Sequence, residues 1–251
     1  MLQHWDALVH MLCLAPPSDP LFQKQAYHAL TSGFIVGELV RRASRRELRD
    51  LMHEWIEKPL KLKYLNFGLP ENLRESSPLN HNTGPKAFWP VTSFSKRILG
   101  VPFDRATEAS NSDGFMSAVV PAGNIYASAD DANRVFQMLL NGGELDGVRV
   151  FKEETVAEAI RPIGKLQYDG MLMVPIRFSS GFILGESPFG LYGPRTEQAF
   201  GHLGFLSILC WADPARDISV SILTTGKSIA PTGVLSLVRV LGAISRACPR
   251  I

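Results

Sequence analysis

Cysteine is scarce in this 251-residue chain and poorly placed for cross-linking. Cys13, Cys210 and Cys248 are odd in number, far apart and nowhere spaced as CxxC, which argues against a disulfide framework and against zinc. A reducing compartment fits. Charge of one sign is scarce too: Lys and Arg number 26 against 24 Asp and Glu, a net of +2. That is too little to draw nucleic acid or an anionic membrane as the main partner. No stretch approaches the roughly 20 apolar residues of a membrane span. The opening MLQHWDALVHMLCLAPPSDP has no basic start, and Asp6 and His10 interrupt its apolar run, so it does not read as a secretory leader. A cytoplasmic setting is the expectation. Internal repeats and low-complexity tracts are missing as well.

What is present suits an ordinary globular protein, with 45% apolar and 20% charged residues. Trp5, Leu8, Val9 and Leu12 fall at helical spacing and predict a short amphipathic helix ending near Pro16. Further helices are expected from Tyr27 to Arg42, Glu47 to Glu57, Ala129 to Asn141 and Lys152 to Ile160. The third opens on SADD, a good cap with acids in its first turn, and stops at Asn141-Gly142-Gly143. Residues 64 to 123 read mostly as loops, of the kind that borders a binding site.

From about residue 177 the texture turns to strands. Arg177–Leu184, Ala199–Ala212 and Ile218–Thr224 are apolar or alternating, and ADPARD reads as a hairpin turn. A closing helix from Thr232 to Ala247 is expected to bury Leu235, Val238, Leu241 and Ala243. Helices followed by consecutive antiparallel strands indicate an α+β or three-layer architecture.

Several motifs tempt and fail. ILTTGKS ends like a phosphate-binding loop, but that loop needs glycine at 221 and this chain has Ser221. HEWIE begins like a zinc-protease helix but carries Glu57 where the second histidine must stand. No G-x-S-x-G is present. The run RRASRRELRD mixes signs and reads as a solvated face. Ser93-Phe94-Ser95-Lys96 puts a hydroxyl and an amine one helical turn apart, which can activate a nucleophile but arises easily by chance.

Three blocks in order carry a resemblance: YHALTSGFIVGELVRR, VPAGNIYASADDANRVFQMLLNGG, and FGHLGF followed by LSILCWADP. Together they resemble the serine β-lactamase-related superfamily, and within it the class C-like carboxylesterases called family VIII esterases. The resemblance runs over nearly all of the chain from Trp5. It implies a β-lactamase/transpeptidase-like α+β fold, with an antiparallel sheet flanked by helices and a mostly helical subdomain. On that reading the chain is one domain lacking its N-terminal portion, about 1–176 helical and looped, about 177–251 strands plus the last helix.

The resemblance further implies a site. Tyr27 matches the family's proton-relaying tyrosine, and His202-Leu203-Gly204 matches its third element. The backbone N–H of Phe205 would be an oxyanion-hole donor. Phe205, Leu206 and Trp211 are expected to add apolar character for an acyl chain. Ala29 stands where the family has an asparagine amide, and His202 where it has a lysine, and both changes favour small esters over β-lactam drugs. No metal and no cofactor is implied. The family's Ser-x-x-Lys belongs upstream of Tyr27, and the 26 residues before Tyr27 contain none. Two readings therefore stand: a serine carboxylesterase whose nucleophile is missing from this chain, or a noncatalytic homologue that binds a ligand or partner. An incomplete sheet would also favour self-association.

Overall fold

The computed structural model describes residues 4–17, 24–85, 89, 91–205, 207–228 and 231–251. Most of the first 160 residues are helical or looped. Helix α1 (Trp5–Leu14) takes the expected amphipathic form and buries Leu8. Helix α2 (Thr31–Ser44) starts later than its periodicity predicts, which leaves Tyr27 in the extended segment before it. The His28 carbonyl, which a helix would pair with the Ser32 N–H, accepts the Ser32 hydroxyl instead, and the Tyr27 N–H donates to Asp169. A helical run comes next in three segments, Leu48–Met52, a π turn at His53–Glu57, and Lys58–Leu60.

The stretch from 64 to 123 corrects the loop expectation. It carries α3 (Val91–Leu99), α4 (Phe103–Ser110) and two short turns of helix, Glu71–Arg74 and Asp113–Ser117. Residues that read as breakers serve here as helix starts. Pro70 and Pro102 stand immediately before helices, and the Ser112 hydroxyl caps its helix by accepting from the Phe115 N–H. Helix α5 (Ala129–Leu140) keeps closely to the sequence reading: Ser128 Oγ accepts from the Asp131 N–H, and Gly142 and Gly143 end it at φ +63° and +95°. Helix α6 (Glu153–Ile160) also forms as expected.

Four antiparallel strands make the main sheet: β1 (Ile183–Leu184), β2 (Phe200–Gly204), β3 (Ile208–Asp213) and β4 (Ile218–Ile222), in the order β4-β3-β2-β1. The expected strand at 177–184 shrinks to its last two residues, because Phe178 bridges back to Ile183 in a tight loop. The expected strand at 199–212 divides into β2 and β3, whose register sets His202 opposite Cys210 and Gly201 opposite Trp211. ADPARD does turn the chain from β3 into β4, with Asp213 opposite Ile218.

Helices cover both faces of this sheet. On one face Phe200, Leu184 and Ala212 pack against Phe136, Leu139 and Leu140 of α5. On the other, Leu209, Trp211 and Tyr192 pack against helix α7 (Pro231–Ala247). The result is a three-layer α+β arrangement, as expected. The buried stripe of α7 differs from its sequence reading: Leu237, Leu241 and Ile244 turn inward, while Leu235 and Val238 are exposed. Apolar residues lie on more than one side of this helix, so periodicity alone does not choose the inner stripe. Among the described residues no helix is long and apolar enough to cross a membrane.

The small residues of α2 serve packing. A Cβ on Gly33 would sit 2.5 Å from the Ala122 amide nitrogen, and one on Gly37 would meet Trp5 and Leu48. They let α2 press against the 121–122 loop and α1.

One buried ion pair closes the β3–β4 corner. Arg216 Nη1 donates to Asp213 Oδ2 at 2.6 Å, and the same guanidinium donates to the Arg195 and Pro194 carbonyls. Arg216→Ala strands a buried carboxylate and should lower stability by about 3–5 kcal/mol. Urea unfolding measures it, and a loss below about 1 kcal/mol would refute the role.

Candidate active site

The sheet register brings two expected residues together. His202 lies in the middle of β2 and shares its sheet face with Phe200, because side chains alternate along a strand. There its ring meets that of Tyr27, centroids 5.7 Å apart and tilted by 39°. His202 Nδ1 is 2.8 Å from the Leu203 carbonyl oxygen. Strand β1 pairs only with Phe200 and Gly201, so the outer edge of His202–Gly204 has no strand partner among the described residues.

The other expected positions separate. Leu203 packs into the core beneath α7, so only its backbone faces the site edge. Trp211 is a correction: it is fully buried on the α7 face, stacked on Tyr192 at 5.6 Å. Its register partner is Gly201 rather than His202, which points it away from Tyr27. Leu206 falls outside the described residues. Phe205 begins the β2–β3 turn with φ +29°, an unusual conformation for a bulky residue. Its ring lies 5.5 Å from Phe103 of α4. Ser93 and Lys96 are both exposed on α3.

Two residues matter here that the sequence did not announce. Asp169 is fully buried, and its Oδ1 accepts the Tyr27 backbone N–H at 3.2 Å across 142 positions of sequence. Lys227, in the ILTTGKS stretch that fails as a phosphate-binding loop, is fully buried as well. Its Nζ donates to the Thr224 carbonyl at 2.6 Å and sits 5.4 Å from the centre of the Phe205 ring. Among the described residues it meets no carboxylate in an ion pair. A long-range contact of an isolated Asp, or burial of a Lys on a short bridge, leaves no local pattern to read.

The electrostatics are set by burial. Burial, then the charge of Asp169, raise the Tyr27 phenol above its ordinary value, so it is a phenol at neutral pH. Burial lowers His202, which is therefore neutral near pH 7. Burial also lowers the Lys227 amine to about 8. The pair that faces the open strand edge is thus uncharged, with hydroxyl and imidazole as its polar groups. Among the described residues no three His, Cys, Asp or Glu side chains cluster to hold a metal ion.

The beta-lactamase family pattern matches residues 2–240, and the chain belongs to that family. It is 27% identical over 218 residues to the esterase/beta-lactamase LipL of Mycobacterium tuberculosis, covering 81% of this chain and 48% of that protein. An N-acetylmuramyl-L-alanine amidase of Bacillus subtilis is 23% identical over 241 residues, 90% of this chain and 49% of that one. Among solved structures, a penicillin-binding protein homologue from Caulobacter crescentus superposes with TM-score 0.80 at 25% identity, over 98% of this chain and 65% of the other. A family VIII carboxylesterase superposes with TM-score 0.81 at 24% identity, over 99% and 65%. The chain therefore spans about half the length of the curated relatives it matches.

Lys227 gives a pH test. Its folded-state value lies below the ordinary 10.5, so folding opposes its charge. The cost is fully present below about pH 8, shrinks as pH rises from there, and is gone above 10.5. Relative to Lys227→Met, the wild type should gain stability between pH 7 and 10, by a few kcal/mol at most. Chemical denaturation across that range measures it; a constant difference would contradict the burial effect.

Proposed function

We propose that these residues supply the tyrosine and His-x-Gly parts of a serine-hydrolase site for small carboxylic esters. The nucleophile on this reading lies in a Ser-x-x-Lys outside these 251 residues, so that they form one N-terminally incomplete domain. The observation that carries the proposal is the contact between Tyr27 and His202 beside an unpaired strand edge. An extended acyl group can lie along that edge, and the Phe205 N–H at its end can serve as an oxyanion donor. The shared length with the relatives supports the missing part.

The chemistry runs as acyl transfer. The serine Oγ loses its proton to the lysine–tyrosine pair and attacks the ester carbonyl, forming a C–O bond and a tetrahedral oxyanion. Collapse breaks the bond to the leaving alkoxide, which takes the proton back from Tyr27. Water then repeats the sequence on the acyl-serine and releases the acid. Because Tyr27 is a phenol here, it needs the lysine cation to reach the phenolate range. A neutral His202 is a poor anchor for a drug carboxylate, which favours esters over β-lactams.

A second reading, a noncatalytic binding module that also self-associates, is favoured by the outer edge of β4 and by exposed apolar residues. Val234, Leu235 and Val238 of α7 are exposed, as are Ile35, Val36 and Leu39 of α2. Light scattering of the purified chain separates monomer from dimer.

Fluorophosphonate labelling and hydrolysis of a short p-nitrophenyl ester test the main reading. The 251-residue chain should not label, whereas a longer chain that includes an upstream Ser-x-x-Lys should label and turn over. In that longer chain Tyr27→Phe should lower turnover by roughly a hundredfold. Strong labelling of the short chain that disappears in Ser93→Ala would move the nucleophile to α3.

A further inference from the structure

Tyr27 stands in a segment with no helix or strand of its own, yet that segment is held by three hydrogen bonds. Gln25 accepts the Gly170 N–H at its carbonyl (2.8 Å) and donates through its side chain to the Ile176 carbonyl (3.0 Å). The third bond is the one from the Tyr27 N–H to Asp169 Oδ1. All three partners belong to one hairpin, formed by Gln167–Tyr168 and Pro175–Ile176.

Asp169 is the centre of that attachment. Its Oδ1 also accepts the N–H groups of Met171 (2.9 Å) and Leu172 (2.8 Å), which closes the hairpin turn. Its Oδ2 is buried and has no hydrogen-bond partner. An asparagine could make the same three bonds through its carbonyl oxygen without burying a charge. The turn by itself therefore does not explain an aspartate. A buried carboxylate with one oxygen unsatisfied is costly, and groups of this kind gather where charge has a task.

We propose that Asp169 is the positioning residue of this site, tethering the Tyr27 backbone to the 167–176 hairpin and holding a buried carboxylate against that residue. The purpose assigned to it rests on the acyl-transfer reading of Tyr27. Among the described residues, the titratable groups that meet Tyr27 or act on its phenol are Asp169 from the hairpin and His202 from β2, neutral near pH 7. Arg97 of α3 donates to the Gly170 carbonyl at 2.7 Å, one residue from Asp169. The carboxylate raises the phenol further, so Tyr27 keeps its proton until a cation comes beside it. Tyr27 is then a hydrogen-bond donor in the resting site and a base only when the site is complete.

The test needs no turnover. Tyrosinate formation is followed by ultraviolet difference spectroscopy in the wild type, with Tyr27→Phe subtracted to isolate Tyr27. The wild-type midpoint should lie above the ordinary tyrosine value of 10.0. Asp169→Asn keeps the acceptor and removes the charge, so the Tyr27 midpoint should fall while circular dichroism stays unchanged. Asp169→Ala removes the tether, and the Tyr27 amide should exchange with deuterium about tenfold faster or more. A wild-type midpoint at or below 10.0, or an unmoved midpoint in Asp169→Asn, overturns the charge role. Unchanged exchange in a folded Asp169→Ala overturns the tether. These outcomes are separable from the ester reading: both effects can hold in a longer chain that hydrolyses no ester, and an active longer chain can lack them.

Discussion

The register between β2 and β3 is the constraint on which the rest depends. With His202 opposite Cys210, the imidazole shares the face of Phe200 and meets Tyr27, while Leu203, Leu209 and Trp211 go to the core under α7. Side chains alternate with a period of two, so a slip of β2 by one residue would turn His202 toward α7 and away from Tyr27. Both faces are covered by helices, and the buried Asp213–Arg216 pair holds the next corner, so the register has little freedom to slide. The position of one histidine is thus decided by the packing of a whole sheet.

Around this edge the chain has gathered groups that burial keeps uncharged or unpaired. The phenol of Tyr27 is raised and the imidazole of His202 is lowered, both chiefly by loss of water. Lys227 lies beside Phe205 with no carboxylate partner among the described residues, and Asp169 is buried with one oxygen lacking a hydrogen bond. Each is costly alone.

The family blocks, the α+β order, the capped helix α5 and the ADPARD turn are all legible in residue order, because each depends on neighbours within a few positions. The helices between 64 and 123 are not, since the same proline or serine can end one helix or begin another, and only its packed surroundings choose. The start of α2 is hidden for a similar reason: helix periodicity runs back through Tyr27, but the helix begins only at Thr31, and Tyr27 is tied to Asp169 far along the chain.

What the sequence determined by itself is the membership and the parts: a tyrosine before a small-residue helix, a His-x-Gly, and a two-strand hairpin closed by Asp-Pro. The reason is that these are local patterns of hydrogen bonding and apolar period. Only the tertiary structure decided which of them meet. Trp211 turned to the core, Tyr27 fell before its helix, Asp169 came against Tyr27 and Lys227 came under Phe205, because burial and long-range hydrogen bonds are properties of the packed chain and of no segment within it.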